Sequence, residues 1–351
     1  MHASFYLAFE DRFRGSREEV KSRLGVYLPF IAPLKTPGEA PKALDLGCGR
    51  GEWLELLQAE GFHVTGVDID DGMLSACREL KLNAVHSDFL DWLTAAEANS
   101  LSVVSAFHFV EHIPLEMLLQ LVEQAHRVLK PGGLLILETQ NSENLLVGAS
   151  TFYIDPTHQR PIHPLQLSFV AEYAGFDRIK TLYLQESHEL LTTPSVDLFS
   201  VLTGVSPDYA VVAQKKASKE ITSLFGSCFE RSYGLRLKEL ADRHDQYVEA
   251  RIRQAGDYKQ WLQSEWSASQ AKVEALNYQN GSLNAENQWL RSEWNAAEAR
   301  AAEQEQRAIV AEARIIDILN SSSWRLTAPL RKAVNLAKNI IHLPRRAKSK
   351  I

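Results

Sequence analysis

Three groups of residues in this chain have the types and spacing to do chemistry. The first is a glycine turn. Asp45, Gly47, Gly49 and Gly51 stand in the run DLGCGRG at 45–51, after an apolar stretch and before a helix-like stretch that starts near Glu52. Glycines let a ligand touch bare backbone, and a helix start offers unpaired N–H groups to an anion. Dinucleotide-binding loops look similar, although Glu52 holds the place of their third glycine. The second group is acidic. Asp68 stands in the run VTGVDID, 19 residues after Gly49, and Asp88 precedes Phe89 in SDFLDW. In an open α/β sheet an acid at the end of the second strand can take both hydroxyls of a ribose. An acid beside an aromatic can bind an adenine amine and cover its ring. The third group is histidine-rich: His108 and His112 in FHFVEHIP, then His158 and His163 in FYIDPTHQRPIHP at 152–164. Pro156, Pro161 and Pro164 stiffen that second loop, which suits a preorganised general base. His158 is the first choice as base, with Asp155 to orient it; His112 and His163 are the runners-up. Arg160 and Tyr153 in the same loop, with Arg14 and Arg17 near the start, are candidates to hold an anionic or sugar substrate.

These groups need elements to position them. Short β-rich runs at 43–46, 63–68, 83–86, 101–107, 134–138, 179–184 and 209–213 alternate with helical stretches at 52–60, 73–80, 115–129 and 165–174. Lys130, Pro131, Gly132 and Gly133 read as a helix stop and a turn into the next strand. Such alternation predicts a mainly parallel sheet covered on both faces. Each chemical group then falls at the carboxyl edge of a strand, where ligands bind in open α/β folds.

Composition narrows the class. The 351 residues carry a net charge of −6, with 45% hydrophobic and 23% charged residues, which excludes wholesale disorder. Cys48, Cys77 and Cys228 are too widely spaced for a disulfide framework or a zinc site, so no metal is expected and a reducing compartment suits the chain. The first 15 residues carry charges where a signal peptide needs an apolar core. No apolar run reaches the roughly 18 residues of a spanning helix. A soluble cytoplasmic protein is expected.

Taken in order and spacing, DLGCGRG, VTGVDID, SDFLDW, FHFVEHIP and LKPGG resemble the class I S-adenosylmethionine-dependent methyltransferases. The resemblance is close over 40–140 and loose over 1–215. It implies a seven-stranded sheet whose last strand, 209–213, is antiparallel. It also implies that the 47–51 loop holds the methionine part of S-adenosylmethionine and that Asp45 supports the loop. Asp68 with Ile69 would hold the ribose, Asp88 with Phe89 the adenine, and His108 would sit beside the sulfonium. A narrower resemblance, in FEDRFRGSR at 9–17, in the 152–164 loop and in ILNSSSWRLTAPLR at 318–331, is to bacterial methyltransferases that cap O-antigen polysaccharide chains. It implies an O-methyltransferase that takes a sugar hydroxyl of a polysaccharide or lipid-linked glycan. Some capping enzymes carry a kinase after the methyltransferase; here the coil follows soon after Gln214 and leaves no room for one. A small soluble acceptor such as a quinone precursor is the rival. A coiled-coil scaffold with a vestigial methyltransferase domain is the non-enzymatic alternative.

The second half of the chain is of another kind. No proline occurs over the 121 residues from Asp208 to Ala328. Heptads run unbroken from Val248 to Ile318, with Leu262, Leu276, Leu283 and Leu290 at d positions and Trp266, Val273 and Trp294 at a positions. QWLQSEW at 260–266 returns as QWLRSEW at 288–294, four heptads later. That pattern predicts a homo-oligomeric coiled coil about 105 Å long. From Leu319 onward there are eight basic residues and no acidic one, so the remainder has 30 basic against 44 acidic. The basic residues, with Leu330, Ala333, Val334 and Ala337 on the opposite face, predict an amphipathic helix on an anionic membrane. Nucleic acid is not expected. The divisions are a methyltransferase domain at 1–216, a helical linker at 217–247, a coiled coil at 248–320 and a basic tail at 321–351. Peripheral attachment to the inner membrane is expected through 325–350, with a glycosyltransferase as a partner.

Overall fold

The structure, a computed structural model, describes residues 12–35 and 38–341. It divides into two compact units, one ending at Gln254 and one beginning at Ala255. Phe9 at the amino end, and Arg345, Arg346, Lys348 and Lys350 in the basic tail, lie outside the described residues.

The first unit is built on a seven-stranded sheet. Its strands are β1 Lys42–Leu46, β2 His63–Asp68, β3 Ala84–His86, β4 Leu101–Phe107, β5 Leu129–Gln140, β6 Arg178–Leu184 and β7 Asp208–Gln214. The order is β3-β2-β1-β4-β5-β7-β6. All pairs are parallel except those of β7, which runs antiparallel to both β5 and β6. Period-two alternation sorts side chains to the two faces. Leu44, Leu46, Val104 and Ala106 pack on one face with the helices Phe89–Ala95, Leu115–Val128 and Pro164–Tyr173. Ala43, Val103 and Phe107 pack on the other with Trp53, Leu54 and Leu57 of the helix Glu52–Ala59. The strand order reverses between β1 and β4, and that reversal opens a crevice at their carboxyl ends.

The strands fall where the sequence puts them, with one instructive difference. β5 begins at Leu129, not at Leu134. Leu129 pairs with Leu101, and pairing then jumps to Leu134 with Val103. Lys130–Gly133 is thus a bulge inside the strand, made possible by Gly132 at φ +82°. The turn chemistry was legible, but a bulge and a turn use the same residues.

Between the sheet and the long helix, Lys219–Ser223 and Gly226–Glu230 are short helices. Phe225 and Cys228 are buried in the second core face, so this stretch packs with the sheet. One helix then runs from Leu237 to Asn320. Its first turns are docked: Leu240 is buried with Val201, Val205 and Leu235, Arg243 Nη1 donates to the Leu190 carbonyl at 2.9 Å, and His244 Nδ1 lies 2.7 Å from the Val196 carbonyl. Ser321 caps a new helix by accepting from the Trp324 amide at 3.3 Å. The helix Ala328–Ile341 follows, with Pro329 in its first turn. Among the described residues no helix is long and apolar enough to cross a membrane.

Gly66 in β2 lies close against Leu54 of the helix Glu52–Ala59 and Cys48 of the glycine loop. A Cβ there would stand 2.6 Å from Leu54 Cδ1 and 2.7 Å from Cys48 Sγ. Gly66→Ala is therefore expected to overpack the interface and cost about 1–3 kcal/mol. Thermal unfolding checks it: a drop of roughly 2–10 °C is expected, and an unchanged melting temperature would show that the helix can slide away freely.

Candidate active site

The glycine loop is fixed by the end of β2. The Gly47 and Cys48 amides both donate to the Val67 carbonyl, at 2.8 and 3.1 Å. The Gly49 amide donates to Asp68 Oδ2 at 2.9 Å, and the Asp70 amide to Oδ1 at 2.9 Å. Gly47, Gly49 and Gly51 all have positive φ, a conformation that costs a side chain energy. At Gly47 there is no room either, because a Cβ would meet the Phe109 ring at 2.5 Å. Asp88 caps the helix Phe89–Ala95 through Oδ1, which accepts from the amides of Leu90 and Asp91. The Phe89 and Phe109 rings meet edge to face, their centroids 5.1 Å apart. Gly47, Gly49, Asp68, Ile69, Asp88, Phe89 and His108 together line one cavity of about 490 Å³.

Asp45 lies behind the loop. It is buried and accepts a hydrogen bond from Ser105 Oγ at 2.7 Å. Burial pushes its carboxyl up to about 7, opposed by the Ser105 hydroxyl and the Arg14 guanidinium. Gly51 points inward, where a Cβ would strike Leu82 and Cys77.

A second cavity of about 370 Å³ has a polar lining that includes Arg23, Gln140, Asp155, His158 and Asp208. It shares Arg14, His108 and His112 with the first. His108 has φ +49°, rare for a residue with a side chain. Its ring sits between carboxylates, Nδ1 3.4 Å from Glu111 Oε1 and Nε2 3.3 Å from Glu138 Oε1. Burial works against its charge, but Asp208, Glu111 and Glu138 outweigh burial and hold its pKa well above the usual value. Asp208 is pushed up to about 6, by burial first and then by Glu138 and Glu111. Glu138 Oε2 also accepts from the hydroxyl of Tyr27 in a short hydrogen bond.

The tautomers of the other two histidines follow from their partners. Thr157 Oγ1 lies 2.6 Å from Asp155 Oδ1 and 2.8 Å from His112 Nδ1. A carboxylate only accepts, so the threonine proton goes to Asp155 and His112 Nδ1 must be the donor to Thr157. His158 Nδ1 is 2.5 Å from the Phe152 carbonyl, which also only accepts. In the neutral form both rings therefore carry their lone pair on Nε2. They lie close, with centroids 4.7 Å apart. Burial lowers the pKa of His112, keeping it neutral. Gln159 ties the loop down, its amide donating to the Glu111 carbonyl at 2.9 Å and its side chain to the His112 carbonyl at 2.8 Å.

Several residues picked from the sequence stand elsewhere. Asp155 Oδ2 is 3.9 Å from His158 Nε2, so the carbonyl of Phe152 orients that ring and Asp155 orients His112 through Thr157. His163 caps the helix Pro164–Tyr173, its Nδ1 accepting from the Leu165 amide at 3.1 Å. Arg17 donates to the Arg50 carbonyl at 2.6 Å and to Glu55 Oε2 at 2.9 Å, which fastens the amino-terminal helix to Glu52–Ala59. Tyr153 and Arg160 are exposed and line neither cavity. Glu111, Glu138, Thr157, Asp208 and Tyr27 were not singled out. Glu111 had a signal, being next to His112 in FHFVEHIP. Tyr27 had none, since it meets Glu138 across 111 residues of chain.

Residues 16–181 match the family model described as a methyltransferase domain. The structure resembles a SAM-dependent methyltransferase from Archaeoglobus fulgidus, with a TM-score of 0.54 and 36% identity, over 60% of this chain and all of that one. Among curated proteins, the ubiquinone biosynthesis O-methyltransferase of Pseudomonas aeruginosa is 26% identical over 188 residues, covering 50% of this chain and 79% of its own. A Mycolicibacterium smegmatis protein, named as an S-adenosylmethionine-dependent methyltransferase, is 30% identical over 141 residues. That match takes in 40% of this chain and about half, 53%, of the relative. With the glycine cradle, the two acids and the adjoining polar cavity, these matches show that the chain belongs to the S-adenosylmethionine-dependent methyltransferases.

Proposed function

We propose that the chain methylates a sugar hydroxyl of a bacterial surface polysaccharide of the O-antigen type, at the end of the chain. The single observation that carries this reading is the polar acceptor cavity, which shares His108 and His112 with the cofactor cavity. A hydroxyl-rich acceptor suits arginine, glutamine, aspartate and histidine better than a greasy one does. The cofactor fits the first cavity. The backbone of Gly47 and Gly49 lines that cavity together with Asp68, Asp88 and Phe89. When bound, S-adenosylmethionine supplies a sulfonium methyl with a good leaving group.

The chain's own residues do the rest. The 47–51 backbone and Asp68 hold the donor in place. The 152–164 loop places the acceptor oxygen in line with it, and alignment of this kind supplies much of the rate. A sugar hydroxyl is a weak nucleophile, so its proton must leave. His158 Nε2 takes that proton, with His112 Nε2 beside it as the alternative acceptor. The 248–320 heptads pair copies of the chain into a coiled coil. The basic residues from Arg325 on meet the anionic inner membrane from the cytoplasmic side, and a glycosyltransferase is the partner. The exposed leucines at positions 262, 276, 283 and 290 support the coil. The Arg331 guanidinium, 3.4 Å from the centre of the Trp324 ring, gives the tail an aromatic and cationic surface.

A second acceptor class has one observation in its favour, the likeness to ubiquinone biosynthesis O-methyltransferases. Mass spectrometry of surface polysaccharide from cells with and without the protein separates the two. Loss of a terminal methyl supports the glycan; intact polysaccharide with an unmethylated quinone precursor supports the rival. In the purified protein, His158→Ala should lower kcat by about 100- to 1,000-fold while S-adenosylmethionine binding stays within about twofold.

Asp45 gives a pH dependence of defined sign. Its folded pKa, about 7, lies above that of an unfolded aspartate. Its contribution to stability is complete below the unfolded value and is lost as pH rises through about 7. Without cofactor, the melting temperature should fall between about pH 5 and about pH 8, and fall less in Asp45→Asn. Added S-adenosylmethionine should recover part of the loss at the higher pH, because a nearby cation favours the ionised carboxylate. Equal pH slopes in the two proteins would contradict this.

A further inference from the structure

We propose that Glu111, His112 and His158 form a site for a divalent transition-metal ion on the acceptor side of the cofactor cavity. One carboxylate oxygen and one nitrogen from each ring all lie within 4.8 Å of one another. An ion with arms of about 2.1 Å would hold three such ligands roughly 3.0–3.4 Å apart. Side-chain shifts of about an ångström close that gap. Both rings are set up as ligands, because each Nδ1 is spent on an oxygen, Thr157 Oγ1 for His112 and the Phe152 carbonyl for His158. In the neutral rings that leaves the lone pair on Nε2, the arrangement in which outer-shell partners orient metal-binding histidines.

Glu111 is the independent observation. It is 1% exposed, and neither of its carboxylate oxygens has a hydrogen-bond partner among the described residues. Among the described residues the His108 ring lies beside it, with Nδ1 3.4 Å from Oε1. His108 compensates the charge and holds the carboxyl below its usual range, but the oxygens stay without short hydrogen bonds, and an ion between Glu111 and the two imidazoles would take up those lone pairs. The neighbouring group of His108, Glu138 and Asp208 is less suited. Glu138 Oε2 already takes the Tyr27 hydroxyl, and the His108 ring faces carboxylates through both nitrogens.

Two nitrogens and one carboxylate select zinc, cobalt, nickel, iron or manganese over magnesium or calcium. Three protein ligands leave positions open for the acceptor, and a pair of adjacent sugar oxygens would fill two of them. An ion there lowers the pKa of a bound hydroxyl. The O–H bond breaks, its electron pair stays on oxygen, and the proton leaves to water. The oxygen then forms the O–CH₃ bond as the C–S bond breaks toward sulfur. With the ion in place both Nε2 lone pairs are occupied, so water replaces His158 as the proton's destination. The catalytic role rests on the O-methyl transfer proposed above; ion binding does not.

The test uses the full chain, freed of metal by a chelator and titrated with Co²⁺ while its visible absorption is followed. One equivalent is expected to bind with ligand-field bands. Glu111→Gln and His112→Ala should each weaken binding by at least about 100-fold, and Thr157→Val, which removes only an outer partner, by about 10-fold. Calorimetry with S-adenosylmethionine confirms that each variant is folded. No stoichiometric Co²⁺ binding, or binding that both Glu111→Gln and His112→Ala leave unchanged, overturns the site. Methylation of the glycan is measured separately, so a failed metal site and a failed acceptor assignment give different results.

Discussion

Closure of the glycine loop onto the end of β2 is the constraint on which the site depends. Three amides, those of Gly47, Cys48 and Gly49, turn back to the Val67 carbonyl and the Asp68 carboxylate. This is possible only because β1 and β2 run parallel and in register, Leu46 opposite Val67. It also requires positive φ at three positions, which is why glycine recurs at every second residue from 47 to 51. The same bonds leave Asp68 on the wall of the first cavity, so the residue that shapes the loop also lines that cavity.

The other face of the crevice is organised by charge. Glu111, Glu138 and Asp208 converge on a single imidazole, that of His108. Carboxylates so close together are stable only if shared cations and protons compensate them. His108 supplies one charge, and the Tyr27 hydroxyl donates a hydrogen bond to Glu138. Asp208 responds by holding its own proton more tightly. The positive φ of His108 is explicable in these terms. The turn places the ring between Glu111 and Glu138 while its amide donates to the Glu138 carbonyl at 2.9 Å. His112 and His158 next to it are held by Thr157 and the Phe152 carbonyl rather than by a ring of carboxylates, and so differ in kind from His108 although all three line one cavity.

Much of this was legible in the sequence because it is local. Strands, helices and the glycine turn each follow from neighbours within a few residues, as do Asp68 and Asp88. What depends on tertiary contact was not. His163 looks like a catalytic candidate in its proline-rich loop, but its place immediately before Pro164 makes it a helix cap. Arg17 looks free and is instead the clasp between two helices. Asp155 is near His158 in sequence, yet its hydrogen bonds run to Thr157 and on to His112. In each case the residue type was right for chemistry, and a backbone group or a distant side chain took it first.

The long helix shows the same limit from the other side. Heptads mark apolar seams, whereas helicity needs only good formers and no breaker, so the helix starts at Leu237 although the seam begins at Val248. Within the second unit, Leu262, Leu276, Leu283 and Leu290 are each about half exposed. An isolated helix gains nothing from placing leucines at seven-residue intervals, and a solvated seam forgoes the roughly 25 cal/mol per Å² that burial would return. Spacing of 3.5 residues per turn is the spacing a partner helix requires and a lone helix does not. That is the physical support for reading 248–320 as a seam between copies of this chain.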